Sequence, residues 1–97
     1  MRILLALRDI KTNAFLSPMT VATPGEAERI YREVLTQQGT MLQKYPHDFP
    51  LYQIGFYDES TGQLVGMKND DGTVALPRLL MDAGQVLGPK LEQSEEA

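Results

Sequence analysis

Apolar and polar positions alternate at the start of the chain. Ile3, Leu5 and Leu7 fall on one side of an extended segment, and Arg2, Leu4, Ala6 and Arg8 on the other. That is the period-two spacing of a β-strand, with the first set toward a core. Asp9 to Asn13 is a run of turn formers, and Phe15 to Thr23 reads as a second extended segment, so a hairpin is the expected connection. Pro18 lacks a backbone donor, which assigns the second segment to a sheet edge.

The period then changes. Thr23-Pro24-Gly25-Glu26 carries a Thr cap, a Pro at the first helical position and a Glu three residues after the cap, the pattern of a capping box. Ala27, Ile30, Tyr31, Val34, Leu35, Met41, Leu42 and Tyr45 follow as a single stripe at helical spacing. The pattern therefore predicts one amphipathic helix running up to Pro46. Gly39 weakens its second half by about 1 kcal/mol relative to Ala and marks a place for a bend.

Past the Pro46-His47-Asp48-Phe49-Pro50 bridge, alternation returns. In Leu51 to Tyr57, Tyr52, Ile54 and Phe56 share the expected core face, and Gln53, Gly55 and Tyr57 the other. Asp58 to Gly62 is a turn and Gln63 to Lys68 a return strand, which makes a second hairpin. Asn69-Asp70-Asp71-Gly72 is a further turn. In Leu76 to Leu87, Leu76, Leu79, Leu80 and Ala83 have helical spacing, but Pro77 and Gly84 leave room only for a short helix. The predicted fold is α+β: a small antiparallel sheet of about four strands in ββαββ order, packed on one main amphipathic helix. Residues 1–87 form a single domain, and the acidic tail 88–97 is expected to be disordered.

Composition agrees with a small globular domain. The chain has 97 residues, of which 42% are apolar and 23% charged, enough for one modest core. It has no Cys, so disulfides, thiolate metal sites and a cysteine nucleophile are excluded, and an intracellular setting fits best. The apolar start is too short for a signal core, and no apolar run approaches the roughly 20 residues of a membrane span. The net charge of −4 is unevenly distributed: six basic and four acidic residues precede Pro46, against three basic and nine acidic from Pro46 onward. A polyanion is therefore expected to prefer the first half.

Candidate chemistry is sparse. His47 is the sole histidine, with Asp48 its only neighbouring carboxylate, and this pair is expected to be ordinary loop structure and not a metal site. Asp58-Glu59 and Asp70-Asp71 fall in turns, where acidic residues are common. The glycines match neither a P-loop nor a dinucleotide fingerprint. No enzymatic activity, cofactor or metal is expected. The sheet face opposite the core is more informative, because it is expected to gather Arg2, Arg8, Gln53 and Tyr57 with the small Ala6 and Gly55, and Lys11 in the adjoining turn. Cations with an aromatic suit single-stranded nucleic acid. The same residues, with Leu4 beside them, suit a second subunit better still, and on the residues alone the interface is the favoured reading. Arg29 and Arg32 lie on the polar face of the helix.

Three segments narrow the choice: Asp9-Ile10-Lys11-Thr12 with Phe15 and Pro18; Thr23 to Ala27; and the block Tyr45-Pro46-His47-Asp48-Phe49-Pro50-Leu51-Tyr52-Gln53-Ile54-Gly55-Phe56-Tyr57-Asp58, followed by Thr61-Gly62. Over about residues 2 to 66 this arrangement resembles the small nonstructural DNA-binding protein of gokushoviruses, single-stranded DNA microviruses of bacteria. The resemblance implies a protein of the infected host's cytoplasm that binds the single-stranded genome during its synthesis or the switch to packaging. On that expectation Arg2, Arg8, Lys11, Arg29 and Arg32 contact phosphates, Tyr57 stacks on a base, and the protein is a homo-oligomer. The alternative is an oligomeric adaptor for replication or capsid proteins that touches no DNA.

Overall fold

The computed structural model describes residues 1–89. Six strands and three helices follow one another as β1 (Arg2–Asp9), β2 (Ala14–Phe15), β3 (Met19–Val21), α1 (Pro24–Leu35), α2 (Met41–Lys44), β4 (Leu51–Asp58), β5 (Gln63–Gly66), β6 (Arg78–Met81) and α3 (Ala83–Leu87), with a 3-10 turn at Pro46–Asp48. All pairing is antiparallel. β2 and β3 share one side of β1, β4 lies along its other side, and β5 and β6 share the far side of β4. The sheet is thus four strands wide, as expected. Leu16 still donates its N–H to the Leu7 carbonyl (2.8 Å), but the ladder lapses at Ser17-Pro18 and splits the first hairpin's return strand in two. Of the tail expected to be disordered, 88–97, residues 90–97 lie outside the described residues.

The helices cover one side of this sheet. Leu5, Leu7, Val21 and Leu51 meet Ala27, Tyr31 and Leu35 of α1, Phe49, and Ala83 and Val86 of α3 in one buried cluster. α1 starts where predicted, with the Thr23 hydroxyl accepting from the Glu26 N–H (3.1 Å). The Glu26 carboxylate accepts from the Ala22 N–H (2.7 Å) and not from the cap residue itself, so the box closes one residue earlier than in the standard motif.

The expected single long helix is two. α1 ends at Leu35, and Thr36 caps it by bonding back to Arg32 and Glu33. Gly39 then takes a positive φ of 83°, a conformation available to glycine and inaccessible inside a helix. Thr40 starts the one-turn α2 by accepting from the Gln43 N–H. Met41 and Tyr45 accordingly leave the buried stripe, and both are exposed. The C-terminal segment also departs from expectation: Arg78–Met81 pairs with β4 as a strand, and the short helix begins only at Ala83, after a complete Asp82–Gln85 capping box. Pro77 stands just before this edge strand, where its missing donor does no harm.

The largest correction concerns β4. Leu4 stands opposite Gly55, yet Leu5 stands opposite Gln53, so Ile54 is unmatched and forms a bulge. A one-residue insertion reverses which way the following side chains point. Leu51 and Gln53 therefore share the helix-covered side with Leu7 and Leu5, and Tyr52 shares the other side with Ala6. The expected places of Tyr52 and Gln53 are exchanged. Gln53 is buried at 4% exposure; its amide oxygen accepts from the Arg78 guanidinium (2.9 Å) and its nitrogen donates to the Gly55 carbonyl (3.4 Å).

Two predictions follow from this packing. A Cβ at Gly55 would stand 2.1 Å from the backbone carbonyl oxygen of Val65, so Gly55→Ala is expected to destabilise the fold by about 1–3 kcal/mol, read from its chemical denaturation midpoint. The buried Tyr31 hydroxyl donates to the Phe49 carbonyl (2.7 Å), and burial, with a smaller contribution from the Asp82 carboxylate, pushes its pKa well above the ordinary tyrosine range. The folded state favours the neutral phenol, so this contribution is complete below about pH 10 and is lost as pH rises further. Tyr31→Phe should lower stability by about 1–3 kcal/mol through the unpaired Phe49 carbonyl. It should also remove that part of the alkaline loss, read by denaturant titrations at about pH 8 and about pH 11.

Candidate nucleic-acid interface

Among the described residues, the helices pack on one side of the sheet, with Leu5, Leu7, Val21 and Leu51. Strand register builds the second side in rows. One row runs Leu64, Tyr57, Arg2 across β5, β4 and β1, and another runs Leu79, Tyr52, Ala6 across β6, β4 and β1. Between them lies a row of Gly66, Gly55, Leu4 and Thr20; Leu4, Ala6 and Gly55 are themselves buried, so the accessible part of this side is its flanking side chains. Two residues beyond Ala6, Arg8 pairs with Phe15 of β2. The Phe15 ring meets Tyr52 edge to face with centroids 5.4 Å apart, a favoured aromatic geometry. Arg2 and Arg8 thus mark the two ends of one strand, roughly 20 Å apart at 3.3 Å per residue, with aromatic rings near each.

Both arginines are held in place. The Arg2 guanidinium donates to the Thr20 hydroxyl (3.1 Å) and the Thr20 carbonyl (3.3 Å). Arg8 donates to the side-chain oxygen of Asn13, which adopts a left-handed φ of 60° in the hairpin turn. Each is half-buried, so part of the guanidinium stays accessible and its aliphatic stem packs on the sheet. The Arg2 end is partly neutralised, because the Glu59 carboxylate lies 3.5 Å from the N-terminal ammonium.

The predicted contact residues divide into three groups. Arg2, Arg8 and Tyr57 share the open side, as expected. Lys11 stands off its end, in the hairpin turn, where its N–H donates to the Asp9 carboxylate (2.9 Å). Arg29 and Arg32 are on α1, across the sheet from the others. Arg29 is exposed, whereas Arg32 bonds Glu28 (3.1 Å) and the Val86 carbonyl of α3. Gln53, expected on the open side, is in the core. The rings missed from sequence are Tyr52, hidden by the unforeseen bulge, and Phe15, whose place follows once the first hairpin's register is known.

The acidic turns have structural roles. Asp58 accepts from the hydroxyl (2.7 Å) and N–H (3.0 Å) of Ser60, and Asp71 makes the same pair of bonds to Thr73. These bonds, the side-chain one foremost, hold both carboxyls below the usual range. The His47 ring contacts the Gly88 carbonyl through Nε2 (3.2 Å). Among the described residues, no three His, Asp or Glu side chains converge as a metal site requires, and no helix is long and apolar enough to cross a membrane.

Compared with known protein families, residues 2–85 match the model of the family described as Phage ORF5 protein. The match runs beyond the segment recognised from sequence to take in β6 and the start of α3. No curated protein and no solved structure matches the chain.

The division of the cations is testable through α1. Arg32→Ala should lower the melting temperature by loosening α3, and Arg29→Ala should leave it unchanged, as thermal denaturation of the two variants would check.

Proposed function

We propose that this chain, which belongs to the Phage ORF5 protein family, binds single-stranded DNA along the open side of its sheet. The observation that carries the reading is the register itself: Arg2 and Tyr57 stand directly opposite at one end of β1, and Arg8, Phe15 and Tyr52 cluster at the other. A strand laid along β1 meets a guanidinium at each end for its phosphates and a ring beside each for its bases. Base stacking on aromatics contributes about 1–3 kcal/mol per base and tolerates any sequence. Lys11 extends the cationic path past Arg8. With an overall charge of −4, attraction rests on these few local cations, so binding is moderate and falls with salt. In the infected bacterial cell, such a protein covers the genome of a single-stranded DNA phage during its synthesis or its transfer to packaging. It acts as a homo-oligomer in the host cytoplasm.

A second reading, a protein adaptor, draws support from the arm between β5 and β6. There Lys68 bridges to Val74, and on the returning limb Val74 and Leu76 are each 86% exposed, apolar side chains suited to a protein partner.

The two readings separate in one experiment. Binding of a labelled oligothymidylate should weaken with salt at a slope of about −0.7 per phosphate contact. Arg8→Ala should reduce the slope by about that amount, and Tyr52→Ala should weaken binding at every salt concentration. No binding at low ionic strength would leave the adaptor as the function.

A further inference from the structure

A cleft of about 380 Å³ lies at the Arg8 end of β1, between the hairpin turn that follows the strand and a wall made by α2 and the 3-10 turn. Its surface is largely apolar, with Met41, Tyr45 and Phe49 on the α2 wall. The charged groups that line it are Asp9, Asp48 and Lys11. Two carboxylates against one ammonium offer an anion no net attraction, so the hollow suits an uncharged aliphatic side chain. The helix break at Gly39 leaves Met41 and Tyr45 63% and 46% exposed, and covering them with a further apolar group is favourable.

The described chain ends beside this cleft. α3 stops at Leu87, and Gly88 takes a positive φ of 94°, which turns the backbone out of the helix. There the Gly88 carbonyl meets Nε2 of His47 (3.2 Å). His47 belongs to the 3-10 turn and lies within two residues of Tyr45, Asp48 and Phe49, all of which line the cleft. After Pro89 the sequence continues Lys90-Leu91-Glu92-Gln93-Ser94-Glu95-Glu96-Ala97, in which Leu91 is the one large aliphatic residue. Leu91 is three residues beyond Gly88, a reach of roughly 10 Å for extended backbone, enough to pass from His47 to its neighbours on the cleft wall.

We propose that the cleft seats the chain's own C-terminal segment, with Leu91 as the side chain that enters it against Met41 and Tyr45. Fixing the backbone from Pro89 to Leu91 is all that seating requires, and the tether keeps Leu91 at high local concentration, so the contact forms readily and reversibly. Glu92, Glu95 and Glu96 then follow from the rim of the cleft. Lys11 lines that cleft, and the Lys44 ammonium lies 5.5 Å from the centre of the Tyr45 ring. The seated segment thus brings three carboxylates to the cationic end of β1, where they compete with phosphates. This last consequence rests on the sheet-face reading, whereas the seating of Leu91 does not.

The full chain, with labelled Met and Leu methyl groups, would be studied by NMR. Cross-relaxation from the Leu91 methyls to the Met41 methyl and the Tyr45 ring is expected, with the same relative intensity after dilution. Leu91→Ser should abolish it and move the Met41 methyl resonance toward its solvent-exposed position, with cooperative unfolding intact. Absence of the cross-relaxation, with Met41 indifferent to Leu91→Ser, would overturn the proposal. Its loss on dilution would also overturn it, by assigning the cleft to the segment of a second copy. In the same samples, Leu91→Ser and the combined Glu92→Gln, Glu95→Gln and Glu96→Gln chain should each bind oligothymidylate about threefold to tenfold tighter than the parent at low salt. Equal affinities would overturn the competition with phosphates. If no variant bound the oligomer while the cross-relaxation was present, the sheet-face reading would fall and the seat of Leu91 would stand.

Discussion

The close approach of Gly55 to β5 governs the rest of the architecture. Next to Ile54, which has no partner on β1, the chain brings Gly55 so near the Val65 carbonyl that no side chain fits between them. That contact closes the second hairpin tightly against a strand which has just gained a residue. From the unmatched Ile54 follows the orientation of both tyrosines of β4: Tyr52 before the bulge and Tyr57 after it emerge on the same side despite being an odd number of residues apart. A regular strand would place one of them under α1.

This explains which parts of the molecule were legible from the chain. β1 and the N-terminus of α1 are written in local chemistry, alternation in one case and the Thr23-Pro24 cap in the other, and both are found where expected. The four-strand width and the two hairpins were legible for the same reason. β4 was not, because a bulge is a property of a strand pair and leaves no period of its own; strict alternation sent Tyr52 inward and Gln53 outward. The helical stripe continued through Met41 and Tyr45 in sequence, but spacing alone does not register a left-handed glycine. The segment from Leu76 to Leu87 misled differently: Leu79 and Leu80 have helical spacing and were claimed by the free edge of β4, a tertiary demand outweighing a weak local preference.

The expected binding residues show the same contrast. Arg2, Arg8 and Tyr57 share one side of the sheet because they lie on strands whose neighbours the hairpins determine. Arg29 and Arg32 were grouped with them by charge alone, and charge carries no information about which layer a residue joins. Arg32 is instead tied to α3, where its guanidinium meets the Val86 carbonyl near the end of a five-residue helix. That helix is too short to be stable alone, and the Arg32 guanidinium anchors it.

The exit of the chain at Gly88 has a practical meaning. His47 meets the Gly88 carbonyl beside α3, so the polypeptide leaves the described fold from the helical layer, behind the ring-bearing surface. The amino terminus, by contrast, adjoins Arg2 and Glu59 on the exposed sheet. A fluorophore, affinity handle or solid support attached before Met1 would therefore be delivered onto that sheet.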